Sequence, residues 1–295
     1  MNKRYQDLRV TSGTYVPPVQ TDFPDDDPYA KLHCPVYDRD YPPVDASYPY
    51  VDDSLPNRLR LFWGFSVILP LLGIILRIKY GLRWKVEGEA RWHRSPLSVR
   101  RWLRQFDLRQ GAITIGNHCY RHDCASILNA LGFYFRTDLR IPMFAPNFRT
   151  RDQFYLRIVG GIPIPAPEEG LSAMKAFNGA FDEFHHRGYW FHIFPEAKRW
   201  DWYKPVRPFQ KGAFTMAYKY GKPIIPCAVT YRPRTGIWRW LGPQDEPLTQ
   251  VVIGAPIYPD TTQPRAAEVE RLLTASHQAL CRLAGIEHNS WPCSL

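Results

Sequence analysis

The feature that most constrains this chain is an abrupt change of pattern across residues 111–128. Residues 112–115 are apolar or β-branched and lie between Gly111 and Gly116, a pattern typical of a short buried strand. From Asp123 onward, apolar residues recur at helical spacing, which predicts a helix that begins there. Its apolar positions are Ala125, Ile127, Leu128 and Leu131. A buried strand joined by a short turn to a helix is typical of an α/β fold.

Two residues with acid–base chemistry flank this turn. His118 follows the carboxyl end of the predicted strand, and Asp123 stands at the start of the predicted helix. Open α/β sheets place their reactive groups at this edge of the sheet. A carboxylate beside an imidazole can hold the ring in one tautomer. We therefore predict that His118 is a general base and that Asp123 orients it.

Four short segments of the sequence occur in the order found in one known family. Asn-His-x-x-x-x-Asp at residues 117–123 comes first, and Gly-Gly-Ile-Pro-Ile at 160–164 follows. Phe-Pro-Glu-Ala-Lys-Arg at 194–199 and Lys-Pro-Ile-Ile-Pro-Cys-Ala-Val at 222–229 complete the set. Together they resemble the motifs of the glycerolipid acyltransferases, the family of 1-acylglycerol-3-phosphate acyltransferase. The resemblance extends over about residues 84–259.

The resemblance implies an O-acyltransferase. Such an enzyme moves a fatty acyl group from a thioester donor, acyl-CoA or acyl-ACP (acyl carrier protein), to a hydroxyl of a lysophospholipid such as lysophosphatidic acid, or of a related lipid. The donor is a co-substrate, and neither a further cofactor nor a metal ion is expected. His118 and Asp123 are then the catalytic residues. The residues expected to bind substrate are Asn117, Gly161, Glu196, Lys198 and Arg199.

The sequence departs from the family at two places. Ala197 and Lys198 stand where the family has Gly and Thr. An arginine usually follows the second segment and is thought to hold the acceptor phosphate, but residues 165–167 here are Pro, Ala and Pro. The cations that lie upstream instead are Arg149, Arg151 and Arg157. The departure weakens the expectation of a glycerol-phosphate acceptor.

Two other kinds of protein remain open. His118 and His122 are four residues apart and, with Asp123, are candidate zinc ligands of a membrane-anchored metal-dependent hydrolase. However, His118 lies in the turn before the helix, and the sequence has no His-Glu-x-x-His segment. A catalytically inactive lipid-binding protein of the same fold is the other alternative, and the presence of His118 and Asp123 argues against it. Cys119, beside His118, is a candidate nucleophile, but the resemblance gives it no role.

The charge of the chain is uneven. Residues 1–60 carry a net charge of −3, and the rest of the chain carries +13. A basic body favours contact with anionic phosphates, on nucleic acids or on lipid headgroups. No segment resembles a nucleic-acid-binding module, so we predict an anionic membrane surface as a partner and no nucleic acid.

The sequence divides into three parts. Residues 1–56 are rich in Pro, Asp and Tyr and predict an extended, largely irregular tail. Residues 57–83 contain a long apolar run and predict a membrane-associating helix or hairpin. Residues 84–295 alternate predicted strands and helices. They predict an α/β acyltransferase domain in which a mostly parallel sheet carries helices on both faces.

The apolar run covers residues 61–76, with Arg58 and Arg60 before it and further cations after it. It is shorter than the roughly 20 residues that a full span requires, and Pro70 predicts a kink. We therefore expect a helix or bent hairpin that enters one leaflet, so that the protein is monotopic or peripheral on the cytoplasmic face of a membrane. A buried core helix and a true span are the alternatives.

Overall fold

A computed structural model of the chain describes residues 44–132, 138–149, 153–166, 169–197, 199, 205–244, 246–289 and 291–294. Most of the predicted tail, residues 1–43, lies outside the described residues. Residues 44–54 precede the first helix and form turns and irregular structure. The first helix begins at Leu55, close to the predicted boundary at residue 57.

One seven-stranded sheet forms the centre of the domain, in the order β1-β7-β6-β2-β5-β3-β4. Every neighbouring pair is parallel except β6 with β7. The predicted mostly parallel sheet is therefore confirmed. The strands are β1 Arg83–Val86, β2 Ile113–Gly116, β3 Leu139–Phe144, β4 Gly161–Ile164, β5 Trp190–Ile193, β6 Ile224–Arg232 and β7 Leu248–Ile253.

Helices cover both faces of the sheet, as the sequence predicted. Side chains alternate along each strand, so Ile225 and Cys227 of β6 join one apolar core, while Ile224 and Ala228 join the other. The first core lies under α1, α2, α3 and α4, and the second lies under α6, α7 and α8. The helices are α1 Leu55–Trp63, α2 Leu69–Tyr80, α3 Leu97–Leu103, α4 Asp123–Leu131, α5 Gln153–Ile158, α6 Gly170–His186, α7 Gly212–Tyr220 and α8 Arg265–Ala284.

The segment before the sheet is one continuous helix, Leu55–Tyr80, which we call the N-terminal helix. It comprises α1, a π-helical turn over Gly64–Ile68, and α2. Of the predicted helix or bent hairpin, the helix is confirmed, and Pro70 lies within its continuous helical run. A π turn is wider than an α turn, and it ends directly before Pro70, where it accommodates the ring and the missing N–H. The helix is long and apolar enough to cross a membrane by length and composition.

One side of the N-terminal helix is docked on the domain along its length. Leu61, Phe65 and Leu76 are buried in the first core. Two glycines mark backbone contact: a Cβ on Gly64 would lie 1.8 Å from the carbonyl oxygen of Ile158, and one on Gly73 would lie 1.9 Å from Asn129 Oδ1. The opposite side exposes a row of apolar side chains: Leu55, Leu59, Phe62, Trp63, Ile68, Leu71, Ile74, Ile75 and Ile78.

The loop between β6 and β7 extends this apolar side. Its short 3-10 helix, Gly236–Arg239, is held against the end of the N-terminal helix, because Trp238 Nε1 donates to the carbonyl of Ile78 at 3.0 Å. Ile237 and Trp240 project from the loop and are 66% and 89% exposed. The helix and the loop therefore present one apolar surface.

Candidate active site

The turn between β2 and α4 is fixed to the neighbouring strand by Asn117. Its amide oxygen accepts from the Val229 backbone N–H at 2.7 Å, and its Nδ2 donates to the Val229 carbonyl at 3.0 Å. The same Nδ2 also donates to Cys119 Sγ at 3.2 Å. Both the oxygen and the nitrogen of the Asn117 side-chain amide are therefore hydrogen-bonded within the protein. The geometry therefore makes Asn117 a positioning residue and gives no support to the predicted contact with substrate.

Asp123 lies at the first turn of α4, where the helix dipole favours a negative charge. Its Oδ2 accepts from the backbone N–H groups of Cys119 and Tyr120, both at 2.6 Å. The same oxygen faces His118 Nδ1 at 3.4 Å, and Oδ1 accepts from the hydroxyl of Tyr231 at 3.3 Å. The carboxylate is thus fixed from three sides and turned toward the imidazole.

His118 has one ring nitrogen on Asp123 and is 23% exposed, whereas Asp123 is 1% exposed. Its ring stacks on Phe194, with centroids 4.0 Å apart and planes 15° apart. Phe194 follows the carboxyl end of β5, which neighbours β2 in the sheet. Because an ionised carboxylate only accepts hydrogen bonds, Nδ1 carries the proton and Nε2 retains a lone pair. The predicted pairing of His118 with Asp123 is therefore present, with the ring held in position for proton transfer.

Cys119 does not have the surroundings of a nucleophile. Its thiol is buried, and its Sγ accepts from the Tyr231 hydroxyl at 3.3 Å. Burial, with the charge of Asp123 as the next cause, raises the pKa of this thiol well above its ordinary value. Since the thiolate is the reactive form, the structure favours His118 as a base acting directly on the acceptor.

Glu196 is paired with Arg207 and not with Arg199. Arg207 donates to Glu196 Oε2 from Nη2 at 2.7 Å and from Nε at 3.1 Å. The side chains are 3% and 2% exposed. Burial raises the pKa of Glu196, while Arg207 and then His118 act in the opposite direction. This buried pair fixes the turn after β5 through Oε2 alone. The predicted binding of substrate by Glu196 stays a prediction.

Ala197, directly after Glu196, has a left-handed backbone, with φ of 61°. Only glycine adopts this conformation without a steric cost. The resemblance placed a glycine at this position, which explains the conformation in physical terms. The strain at Ala197 is a consequence of keeping the same sharp turn with a Cβ present.

Arg199 is exposed. Its charge is one of the causes that lower the pKa of His122 to about 4, after burial and Arg121. The guanidinium therefore acts electrostatically on a residue of the turn between His118 and Asp123. Lys198, the other predicted cation, lies outside the described residues.

Gly161 stands at the opposite edge of the sheet. It is the first residue of β4, paired with Ile141 in β3, so it lies at the amino ends of the parallel strands. His118 follows the carboxyl end of β2. The predicted contact of Gly161 with substrate is therefore not supported. Arg157, one of the upstream cations, lies at the same distant edge, where its Nη1 donates to the Tyr48 hydroxyl at 2.6 Å.

The metal alternative gains no support from the described part of the chain. His122 does not join His118 and Asp123 around a common point, since its ring packs between Tyr80 and Tyr120, with centroids 5.1 Å and 5.2 Å away. No group of three His, Cys, Asp or Glu residues that could hold a metal ion occurs among the described residues.

Several residues that shape this site were not predicted from the sequence. Tyr231 contacts Asp123 from 108 residues further along the chain, and Arg207 contacts Glu196 from eleven residues further along. Behind Phe194 lies His192, whose Nδ1 is 2.9 Å from Thr114 Oγ1. Burial, and secondarily His118, lowers the pKa of His192 to about 3. The alternation of β5 and β6 was a usable signal for burial of these side chains, but not for their partners.

An α/β domain with a His–Asp pair at the carboxyl edge of its sheet has the arrangement that general-base activation of a hydroxyl requires. The model of the Acyltransferase family matches residues 85–230. The chain therefore belongs to the acyltransferase family, and it is an acyltransferase.

Among solved structures, the chain is similar to the 1-acyl-sn-glycerophosphate (LPA) acyltransferase PlsC from Thermotoga maritima. The two are 15% identical, with a TM-score of 0.39, and the match covers 76% of this chain and 94% of that one. A search of curated protein sequences finds no significant match.

Proposed function

We propose that this acyltransferase moves a fatty acyl group from acyl-CoA or acyl-ACP to a hydroxyl of a lysophospholipid or related lipid at a membrane surface. The observation that carries the proposal is the half-buried His118 ring, held by Asp123 on one side and by Phe194 on its face. Its Nε2 is the nitrogen left for an acceptor hydroxyl.

The reaction follows from this geometry. His118 Nε2 removes the proton of the acceptor hydroxyl while the oxygen attacks the thioester carbonyl. Asp123 stabilises the imidazolium that forms. The tetrahedral intermediate then collapses, the C–S bond breaks, and the imidazolium returns its proton to the leaving thiolate. The products are an ester and a free thiol, and no covalent acyl-enzyme is required.

The charge near the site supports an acceptor with an anionic headgroup. Arg199 is exposed beside the His118 turn and offers a planar fork that suits a phosphate. Lys198 adds a second positive charge to the sequence at this position. Lysophosphatidic acid is the acceptor that we favour, with other lysophospholipids as alternatives.

Membrane attachment follows from the apolar surface of the N-terminal helix and the loop after β6. Its exposed residues are leucine, isoleucine, phenylalanine and tryptophan, a composition suited to the interface of a bilayer. Tyr80, at the end of the helix, contacts His122 beside the active site. The docked helix would thus hold the site close to the membrane, on the cytoplasmic face, without crossing it.

The direct test is release of thiol from a long-chain acyl-CoA, measured against a panel of hydroxyl acceptors with the purified full chain. We expect release to require a lysophospholipid. His118→Ala should abolish it, since the proton acceptor is lost, whereas the matched variant His122→Gln should retain most of it. A zinc hydrolase would give the opposite pattern: both histidines would matter, and chelation followed by zinc would restore activity.

Arg199 is tested in the same assay. Arg199→Ala should raise the KM of the acceptor roughly ten- to a hundredfold, because a charge-assisted contact is lost, and should change the KM of the donor little. Arg109→Ala is the control, since this arginine is exposed and paired with Asp107 away from the site. Equal effects on both substrates would contradict the proposed contact with the headgroup.

A further inference from the structure

A polar cavity, separate from the active site, lies beneath the start of the N-terminal helix. Its volume is about 110 Å³, and it is bounded by α1, by residues 48–52, and by the amino ends of β3 and β4. It is remote from His118. Strand β4 is three spacings from β2, roughly 14 Å across the sheet, and its four residues span about 13 Å along the strands.

Three arginines line this cavity. Arg157 donates to the Tyr48 hydroxyl at 2.6 Å, and Arg60 donates to Asn57 Oδ1. Arg140 is 8% exposed, and its guanidinium lies over the rings of Phe184 and Tyr189, 4.8 Å and 4.7 Å from their centroids. Burial and then the neighbouring charge of Arg157 lower the pKa of Arg60. Arg60 and Arg157 are thus held close enough to repel each other.

The opposing negative charge is small. Asp52 is the carboxylate among the lining residues, and its Oδ1 accepts from the Ser54 backbone N–H at 3.0 Å. Three arginines and one carboxylate that is already hydrogen-bonded therefore line the cavity. Outside the lining, Asp138 acts on Arg140, and Glu169 and Asp45 act on Tyr50. An arrangement with this excess of positive charge, partly shielded from water, favours an anion.

Two donors at the cavity have no partner within the described part of the chain. They are the hydroxyl of Tyr50 and Nε of Arg60, and both atoms are buried. Tyr50 is 7% exposed, and its ring is fixed by Tyr48 and Phe177, with centroids 4.7 Å and 5.6 Å away. Buried donors are nearly always hydrogen-bonded in native proteins. A fixed hydroxyl without a partner, at a cavity that Arg60 and Arg157 also line, indicates a ligand that accepts hydrogen bonds.

We propose that this cavity binds a phosphate group, either as the headgroup of an anionic lipid or as a free phosphate. Phosphate offers several acceptor oxygens and pairs with the planar fork of arginine. The volume admits a group of a few heavy atoms and excludes a whole lipid, so the acyl chains of a lipid would remain outside. The neighbouring apolar residues Leu55, Leu59 and Phe62 are exposed on α1 and supply the surface where such chains would lie.

The site is distinct from the proposed acceptor site and does not depend on acyl transfer. Its consequence concerns the N-terminal helix, because Arg60 belongs to α1 while Arg140 and Arg157 belong to the sheet and to α5. A bound phosphate would neutralise the repulsion between Arg60 of α1 and Arg157 of α5. It would therefore stabilise the docked position of the helix.

The test is titration of the full chain, in detergent, with inorganic phosphate, followed by calorimetry and by thermal unfolding. We expect saturable binding and a rise in Tm for the wild type. Arg60→Gln and Arg157→Gln should each weaken the affinity roughly tenfold or more. Arg58→Gln is the matched control, since Arg58 is exposed on the same helix and does not line the cavity. Its affinity should equal that of the wild type.

Tyr50→Phe tests binding of phosphate with a substitution that we expect to leave the fold intact. It removes only the hydroxyl, so without phosphate its Tm should equal or exceed that of the wild type, whereas the rise in Tm on adding phosphate should be smaller. Flotation with phosphatidylcholine vesicles, with and without phosphatidic acid, distinguishes the two sources. If phosphatidic acid increases binding of the protein to the vesicles and Arg157→Gln abolishes this increase, the ligand is a lipid headgroup. If phosphatidic acid leaves binding to the vesicles unchanged, the ligand is free phosphate. Absence of phosphate binding in the wild type, or equal weakening by Arg58→Gln, would overturn the proposal.

Discussion

At the scale of single residues, the site depends on one oxygen atom. Oδ2 of Asp123 accepts from two backbone N–H groups of the turn and faces the imidazole of His118. The same atom therefore folds the turn and orients the base. A substitution at Asp123 can therefore change both the folding of the turn and the orientation of His118.

Asp123→Asn should reduce acyl transfer by roughly ten- to a hundredfold, since a charge-assisted contact becomes a neutral one. Loss of the tautomer, as when the aspartate of a serine protease triad becomes asparagine, is not expected. The two backbone N–H groups require an acceptor at this position, so the amide oxygen will take it and still accept from Nδ1–H. Single-turnover rates, compared with those of Asp123→Ala, measure the difference. Asp123→Ala should be slower, because it removes the acceptor altogether; equal rates would contradict this interpretation.

Glu196→Gln should act on stability and not on the affinity for substrate. The substitution leaves Arg207 buried beside a neutral amide, and breaking a buried pair costs about 3–5 kcal/mol. Urea unfolding of the purified variant gives the loss, and the double variant Glu196→Gln/Arg207→Met should recover part of it. The acceptor KM, measured where the variant is still folded, should equal that of the wild type. A stable Glu196→Gln protein with a raised acceptor KM would instead restore the substrate-binding hypothesis.

Sequence reasoning identified the residues of the site better than their roles. His118 and Asp123 are close in the chain, and the strand–turn–helix pattern is enough to bring them together. Asn117 and Glu196 were expected at the substrate, but in the structure they pair with Val229 and Arg207. The pairing of Asn117 with Val229 depends on the order of strands in the sheet, which a linear pattern does not contain.

At the scale of elements, the N-terminal helix is the clearest departure from expectation. Pro70 predicted a kink on the assumption of α-helical geometry. The structure places a π turn over Gly64–Ile68 directly before Pro70, and Gly64 allows the helix backbone to approach Ile158. Neither the π turn nor the docking partner is encoded by local periodicity.

Length alone does not settle whether this helix crosses a bilayer. Its 26 residues extend about 39 Å, enough for a core of roughly 30 Å. The packing of the helix argues that it does not cross the bilayer, because a span would separate the buried side of the helix from the domain. We therefore expect Leu55→Cys and Arg91→Cys, which lie on either side of the apolar segment and are exposed, to be equally protected from an impermeant thiol reagent applied outside intact cells.

Cell lysis provides the control for this labelling experiment. Both introduced cysteines should react once the cells are lysed and the membrane is dissolved in detergent, above the background of the native thiols in the unmodified chain. Labelling of one position alone in intact cells would show that the helix spans the membrane. Labelling of both would place the whole protein on the outer side.

At the scale of the whole molecule, the fold class was predictable and the edges of the sheet were not. Alternating apolar runs and amphipathic helices suffice to predict a mostly parallel sheet with two covered faces. The antiparallel pairing of β7 with β6, and the placement of β1 beyond β7, result from long-range contacts. The polar cavity likewise lies between α1 and the strands β3 and β4, which follow α1 by some 80 to 100 residues. No local motif predicts it.

The buried histidines give the molecule a pH dependence that can be measured. His192 is fully buried, with its pKa lowered by burial to about 3, whereas an unfolded histidine titrates near 6.5. Between these values the unfolded chain binds a proton that the folded chain does not, so stability falls as the pH is lowered. The slope for one such group is about 1.4 kcal/mol per pH unit.

His192→Gln removes this contribution while its amide can still bond to Thr114. Above about pH 7 the free energies of unfolding of wild type and variant should run parallel. From about pH 6.5 to about pH 4.5, the wild type should lose stability faster, by about 1.4 kcal/mol per pH unit relative to the variant. Comparison of the two proteins cancels the titration of other groups, including Glu196, whose raised pKa has the opposite sign. Urea unfolding at a series of pH values measures both curves, and parallel curves throughout would show that His192 takes up a proton in the folded state.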